Sequence, residues 1–428
     1  MLTETITERK LQASAMAESL IGSEIIKLAA EINEKIKQGE KIYNFTIGDF
    51  DPKIFPIPVE LRNEIINAYM AGHTNYPAGN GEAELRKHVA SFIEHYQGLK
   101  YKPEEFLISG GARPLIYAIY KTVLDANDKV IFPVPSWNNN HYCHLTSAQQ
   151  ILIDALPQNN FMPTAASIKP HLKDATLIAL CSPLNPTGTV FTENNLREIC
   201  ELVLEENNRR SASQKPLYVM YDQIYWMLTA GNTRHFDPVS LYPEMRNYTI
   251  YVDGLSKAFA ATGVRVGWAF GPFAIIDKMK SILSHVGAWS PKAEQVATAK
   301  YLSDQTAMNN YLSHFKSEVN KRLIGFYEGF EKLKAEGLPV EAIEPQGAIY
   351  LTVRFNIIGK KTPEGDVIAN SSNITHYLIN KAKTAMVPFS AFGAKDSSDW
   401  FRLSIGTSKV EDIDTVIDLI ANALRQLK

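Results

Sequence analysis

Between residues 106 and 270 the chain repeats one pattern. A short apolar run meets a turn rich in glycine, proline, asparagine or aspartate, and a helical stretch follows. Such runs suit strands whose two faces are both covered. Parallel neighbours in a sheet need a crossover long enough to hold a helix, so the alternation predicts a mostly parallel sheet. The expected fold class is α/β: a three-layer αβα sandwich with a mostly parallel central sheet, plus a smaller α+β domain.

Residues able to do chemistry gather at the ends of these runs. Residues 106–109 enter a glycine turn at Gly110 and Gly111, followed by Ala112, Arg113 and Pro114, and proline suits the first turn of a helix. Backbone N–H groups at such a helix start can approach a phosphate, although tight packing explains a glycine turn equally well. Residues 129–134 lead to Trp137. Residues 176–181 lead to Asn185, held on a stiff loop between Pro183 and Pro186. Residues 217–221 close on Asp222, with Tyr225 close behind. A carboxylate ending an apolar strand calls for a cationic or proton-bearing partner, or else caps a helix. Open α/β sheets bind ligands beyond the carboxyl ends of their strands, so the shared location says more than any one residue.

Residues 253–268 place Lys257 beside Ser256 among small and apolar residues, with Arg265 further on and no acid between them. Two cations without a neighbouring carboxylate fit one molecule carrying a phosphate and an aldehyde. Ser256 and Arg265 would hold the phosphate, and Lys257 would form an imine. A solvated basic loop is the alternative.

The flanks read differently. Up to about Lys41 the chain is a mostly helical arm, with Ile25, Leu28, Ala29, Ile32 and Ile36 on one face. Gly48, in a Gly/Asp/Pro turn, allows a backbone to approach a ligand closely. Tyr76 lies on a loop, where a surface aromatic is the plain reading. From Met308 a long stripe of Leu312, Phe315, Val319, Leu323, Phe326 and Phe330 marks a helix that Gly337 ends. Strands are expected near residues 348–354, 385–387 and 400–405. A capping box, Ser408 to Glu411, should open the last helix. Arg402 sits inside an apolar strand, where it wants an anion, whether a substrate or a structural partner. The expected division is an N-terminal arm with part of the small domain (1–60), a large domain (61–307) and a small α+β domain (308–428).

Charge and cysteine content exclude several classes. A formal net charge of -2 gives no broad basic field for nucleic acid or an anionic membrane. Cys143, Cys181 and Cys200 lack metal-ligand or redox spacing, which fits a reducing, cytoplasmic setting, and no metal site is expected. The first eight residues are polar and acidic, without an apolar signal core, and no apolar run is long enough to span a bilayer.

Taken in order, Asn185-Pro186-Thr187-Gly188, Asp222-Gln223-Ile224-Tyr225, Ser256-Lys257-Ala258-Phe259, the stretch from Gly263 to Gly267 and Phe401-Arg402-Leu403-Ser404 resemble the class I/II pyridoxal-phosphate aminotransferases of fold type I. The likeness runs from about Gly48 to the C-terminus. It implies pyridoxal 5'-phosphate as cofactor and Lys257 as the Schiff-base lysine. Asp222 would pair with the pyridinium nitrogen, while Asn185 and Tyr225 would bond the ring's phenolic oxygen. Trp137 would stack on the ring. Gly111, Ala112, Ser256 and Arg265 would hold the phosphate, with Tyr76 reaching it from a neighbouring subunit of a homodimer. Arg402 would clamp the substrate α-carboxylate, helped by Asn185, Trp137 and the backbone at Gly48.

The activity implied is ping-pong transfer of an amino group between an L-amino acid and a 2-oxo acid by way of pyridoxamine phosphate. A β-eliminating carbon–sulfur lyase and a non-catalytic effector-binding domain are the alternatives, since fold and cofactor do not fix the reaction. Three positions depart from the family pattern. Gln223 replaces the usual glutamate and should point away from the site. Ala112-Arg113 leaves the phosphate cup undefined in detail. Phe389 brings bulk where relatives often have glycine, at the expected substrate entrance, where Tyr43 and Trp289 are also candidates to line the mouth.

Overall fold

A computed structural model describes residues 12–20 and 24–428. The acidic opening stretch, residues 1–8, and the Ile25 side chain lie outside the described part. The central sheet has seven strands: β1 (Phe106–Ser109), β2 (Lys129–Val134), β3 (Gln149–Asp154), β4 (Ala175–Cys181), β5 (Tyr218–Asp222), β6 (Thr249–Gly254) and β7 (Gly267–Phe270). Their spatial order is β1-β7-β6-β5-β4-β2-β3. Strand β7 runs antiparallel to both neighbours, and the other pairings are parallel.

Side chains alternate between the two faces of the sheet, as a period of two requires. On β4, Ile178 and Leu180 join one buried layer, and Leu177 and Ala179 the other. This double coverage is why the inner strands read as unbroken apolar runs. The edge strand β3 carries no such run, because most of its side chains stay exposed. The helix Ala112–Val123 buries Leu115, Ile116, Ala118, Ile119, Tyr120 and Val123, which explains its largely apolar sequence.

A second, antiparallel sheet holds β8 (Val340–Ala342), β9 (Tyr350–Phe355), β10 (Val387–Pro388) and β11 (Trp400–Ser404), in the order β10-β11-β9-β8. The helix Gln305–Ala335 joins the two units. Its Met308 and Leu312 pack with the main core, and Phe315 to Phe330 pack with the second. Gly337, at φ +81°, takes the left-handed turn that follows.

The segment before the main sheet belongs to the second unit. Tyr43–Asn44 pairs in parallel with Thr384–Ala385, and Ser404 N–H donates to the Phe45 carbonyl at 3.0 Å. This anchoring brings Gly48 opposite the carboxyl edge of the main sheet.

Two local expectations are corrected. The capping box at Ser408 does not form. The Ser408 hydroxyl donates to the Ile405 carbonyl at 2.9 Å, and a single 3₁₀ turn, Val410–Asp412, precedes the helix Ile413–Arg425. Ile36 is exposed rather than part of the buried stripe of the arm; among the described side chains of that stripe Ile32 alone is fully buried, against Ile379 and Ala385.

Candidate active site

A cavity of about 640 Å³ opens at the carboxyl edge of the central sheet. The ends of β4 and β5 and the turn after β6 form its floor, and Tyr350 and Arg402 of the second unit close it from above. Gly48, Ala112, Trp137, Asn185 and Asp222 all line it, as do Tyr225, Ser256, Lys257, Arg265 and Arg402.

Lys257 owes its placement to the end of β6. A Cβ on Gly254 would lie 2.8 Å from the Gly267 Cα, so only glycine lets the two strands meet there. The short helix Leu255–Ala258 then turns Ser256 and Lys257 toward the cavity. The Lys257 Nζ donates to the Gly48 carbonyl at 2.6 Å. Burial lowers its pKa to about 8. Asp49 opposes that shift, while the positive charges of Arg402, Arg113 and Arg265 add to it.

Asp222 ends β5. Its carboxylate accepts the Ile224 N–H at 3.1 Å within a turn, and no helix follows for it to cap. Among the described residues no cation lies within 4.0 Å of it. Burial raises its pKa to about 6. Gln223 turns the other way, as a strand requires, and exchanges amide hydrogen bonds with Gln97 at 2.8 and 3.1 Å. Tyr225 is buried, and its hydroxyl lies 2.6 Å from that of Tyr350.

Arg402 is 2% exposed, and among the described residues no carboxylate pairs with it. Its guanidinium donates to Asn185 Oδ1 at 3.0 Å and to the Thr46 carbonyl at 2.7 Å. It lies over the rings of Tyr350 and Phe392 at 4.6 and 5.0 Å, and its Nε has no partner. A buried cation held only by neutral groups is short of an anion. Since Asn185 Oδ1 accepts from Arg402, the NH₂ of Asn185 is left as a donor.

The glycine turn and Arg265 form a cup. Gly111, at φ +96°, precedes the helix Ala112–Val123, whose first N–H groups receive no side-chain cap. A Cβ on Gly111 would lie 2.1 Å from an Arg265 guanidinium nitrogen, so a side chain there would push the guanidinium off the turn. Arg265 donates to the Thr262 and Gly110 carbonyls, each at 2.7 Å. Arg113 also lines the cavity, 5.5 Å from the Trp137 ring, and no carboxylate among the described residues pairs with it.

Tyr76 does not join the group within its own chain. It is 81% exposed and packs on Trp289 in a separate surface hollow. Trp289 therefore lies away from the cavity, and Tyr43 is not among its lining residues. The expectation for Phe389 is corrected. It is fully buried against Phe161 and Phe392 and does not shape the entrance, because its 3₁₀ turn folds the ring into an aromatic cluster.

The sequence reading passed over Tyr350, Asp49, Ser136, Asn139 and Tyr142, which also line the cavity. Tyr350 lies in an apolar strand and reads there as core. Asp49 stands next to Gly48, and that adjacency was the one available signal.

The residues present fit pyridoxal phosphate. A carboxylate without a cation, an amine near neutrality, a glycine cradle against an arginine and a buried guanidinium with an orphaned Nε match a protonated ring, an aldehyde, a phosphate and a carboxylate. Fold and site together define an aminotransferase. The family model for aminotransferase class I and II matches residues 40–420, and the chain belongs to that family. It resembles the aspartate aminotransferase of Rhizobium meliloti (strain 1021), at 27% identity over all of this chain and 99% of that one. The aspartate aminotransferase of Geobacillus stearothermophilus is 28% identical, over 94% of this chain and 96% of its own. The crystal structure of the Rhizobium meliloti aspartate aminotransferase superposes with a TM-score of 0.89 at 26% identity, covering 98% of this chain and all of that one.

The protein is thus a pyridoxal-phosphate-dependent aminotransferase that moves an amino group between an amino acid and a 2-oxo acid. These likenesses lend no support to β-elimination or to a non-catalytic effector-binding domain.

Proposed function

We propose that the cavity binds pyridoxal phosphate through residues that line it, together with Gly111 beside them, and that its substrate is an amino acid with an acidic side chain. When bound, the cofactor supplies an aldehyde that condenses with amines and a ring that accepts electrons. Gly111, Ala112, Ser256 and Arg265 hold its phosphate. The Asp222 carboxylate holds a proton on the ring nitrogen, and Trp137 covers the ring. Asn185 and Tyr225 donate to the phenolic oxygen. The observation that carries this reading is the meeting of Lys257, Asp222 and Arg402 in one cavity, where none has a protein counter-ion among the described residues.

Arg402 takes the substrate α-carboxylate, and its contacts with Asn185 and Thr46 fix the direction of approach. Lys257, with a pKa near 8, is unprotonated often enough near neutral pH to take a proton at Nζ and return it. The Gly48 carbonyl steadies that amine.

Arg113 supports the choice of an acidic side chain. It lines the cavity besides Lys257, Arg265 and Arg402, lacks a carboxylate partner among the described residues, and lies near the Trp137 ring. The relatives named above are aspartate aminotransferases.

A homodimer completes the site in this reading. Tyr76 projects from the surface, and Met70, Ile66, Phe273 and Val286 are exposed as well, an apolar set suited to a second copy. The domain reading divides the chain at residues 60 and 307; two cores support it in outline, with Met308 and Leu312 packed on the first and Ile224, Tyr225, Leu228 and Ala260 on the second. No described helix is long and apolar enough to cross a membrane, and the three free thiols fit a cytoplasmic setting.

The test is a half-reaction screen. The cofactor-loaded protein is mixed with single amino acids while its absorbance is followed, and product formation is then assayed. Aspartate or glutamate should convert the spectrum, aspartate then passing its amino group to 2-oxoglutarate and glutamate passing its own to oxaloacetate. Release of pyruvate and ammonia without transfer would overturn the reading.

A further inference from the structure

We infer that Tyr350 is a positioning residue: its hydroxyl donates to Tyr225 and thereby commits the Tyr225 proton to the cavity, tying the α-carboxylate clamp to the cofactor's phenolic oxygen. This rests on the reading that Tyr225 faces the cofactor.

The two hydroxyls are 2.6 Å apart, and both side chains are buried. Neither has another hydrogen-bond partner among the described residues. Two phenols that share one hydrogen bond use one proton between them and keep the other free. Which proton stays free decides which hydroxyl can donate to a ligand.

Three features make Tyr350 the donor. The Arg402 guanidinium lies 4.6 Å from the Tyr350 ring, closer than the 5.7 Å that separates the Lys257 amine from the Tyr225 ring, and the nearer cation favours loss of proton density from the Tyr350 phenol. Burial raises the pKa of both hydroxyls, but the cation at Arg402 holds that of Tyr350 down more effectively, and Tyr225 is pushed well above the usual range. The more acidic phenol is the better donor. The third feature is steric. A Cβ on Gly48 would lie 2.8 Å from the Tyr350 oxygen, so the backbone at Gly48 walls in that hydroxyl on one side.

The register of β9 keeps this arrangement in place. Tyr350 pairs with Ser404 and Thr352 with Arg402 across the β9–β11 ladder. Thr352 also donates to the Thr187 carbonyl at 2.7 Å, fixing the strand to the loop that carries Asn185. Arg402, Tyr350 and Tyr225 thus form one connected row. A carboxylate docking on Arg402 partly neutralises the cation beside Tyr350 and so changes how strongly Tyr225 donates. Hydrogen bonds in series polarise one another, so the effect reaches the second hydroxyl.

The experiment is a double-mutant cycle on Tyr350→Phe and Tyr225→Phe, with two readouts. One is the affinity of the ligand-free protein for pyridoxal phosphate, by fluorescence titration. The other is the pH midpoint of the bound cofactor's absorbance, with and without succinate as a carboxylate probe. Tyr350→Phe alone should weaken cofactor affinity about tenfold, the loss of one buried hydrogen bond, and should shrink the shift of the midpoint by succinate to the part carried by the Arg402–Asn185 bond. In the Tyr225→Phe background it should change affinity by less than about twofold. Additive effects, or a Tyr350→Phe protein that is less stable but keeps the wild-type midpoint and its succinate shift, would overturn the assignment. Failure of the underlying reading would show separately, as a wild-type protein that takes up no pyridoxal phosphate.

Discussion

The Lys257 ammonium group donates to the backbone carbonyl of Gly48 at 2.6 Å, across 209 positions of sequence. A neutral carbonyl holds the amine in place without supplying the charge that would keep it protonated. Burial is the larger influence, and it lowers the lysine to about 8.

Replacing Lys257 with alanine should remove the covalent cofactor absorbance and reduce transamination by on the order of 10⁴-fold or more, since the residue both binds and moves a proton. Absorbance spectra and turnover with 2-oxoglutarate check this. The ligand-free protein offers an independent check. The folded lysine titrates near 8 and the unfolded one at 10.5. Between those values the unfolded chain binds more protons, so stability rises with pH by on the order of 3 kcal/mol. Denaturant titration from pH 8 to 10.5 should show that rise in the wild type and not in the alanine variant.

Asp222→Asn should behave in the opposite sense. The folded carboxyl titrates at about 6 against an ordinary 3.8. In that window the folded chain holds the extra proton, so ligand-free stability falls as pH rises through it. At pH 7 the ligand-free asparagine variant should be more stable by on the order of 3 kcal/mol. Its transamination should nevertheless fall sharply, because the ring nitrogen loses its charged partner. Thermal unfolding of the ligand-free protein and steady-state rates measure the two effects.

Arg402→Ala should reduce kcat/KM for α-amino acids by about 10²-fold or more, the scale for truncating a buried, charge-assisted contact. Cofactor affinity should change far less, since Arg402 meets Asn185 and Thr46 rather than the phosphate cup. Steady-state kinetics together with cofactor titration separate the two.

Arg113→Gln should lower kcat/KM for aspartate and glutamate by about tenfold and leave alanine nearly unchanged, because a rim cation discriminates by charge. The ratio of the two specificity constants is the measurement. An equal loss for all substrates would remove Arg113 from the side-chain subsite.

Gly111→Ala should weaken cofactor binding by at least about tenfold. The new Cβ would lie 2.1 Å from an Arg265 nitrogen, and a φ of +96° strains any residue with a side chain. Equilibrium dialysis with pyridoxal phosphate tests it.

Much of this protein is legible in the sequence because its physics is local. The apolar runs that become β4, β5 and β6 are short and covered on both faces, so they announce a parallel sheet and the edge where ligands bind. Lys257, Asp222 and Asn185 stand at the ends of those runs, and a charged or amide group there has few structural uses. Tertiary structure alone decided what comes from the second unit. Tyr350 looks like core until β9 sets its hydroxyl against Tyr225. Phe389 looks like an entrance residue until a 3₁₀ turn buries it. The Gly48 carbonyl becomes a ligand for Lys257 only because Tyr43–Asn44 pairs with Thr384–Ala385. Periodicity reports which face of an element is buried; which distant element covers that face is set by packing that no local pattern encodes.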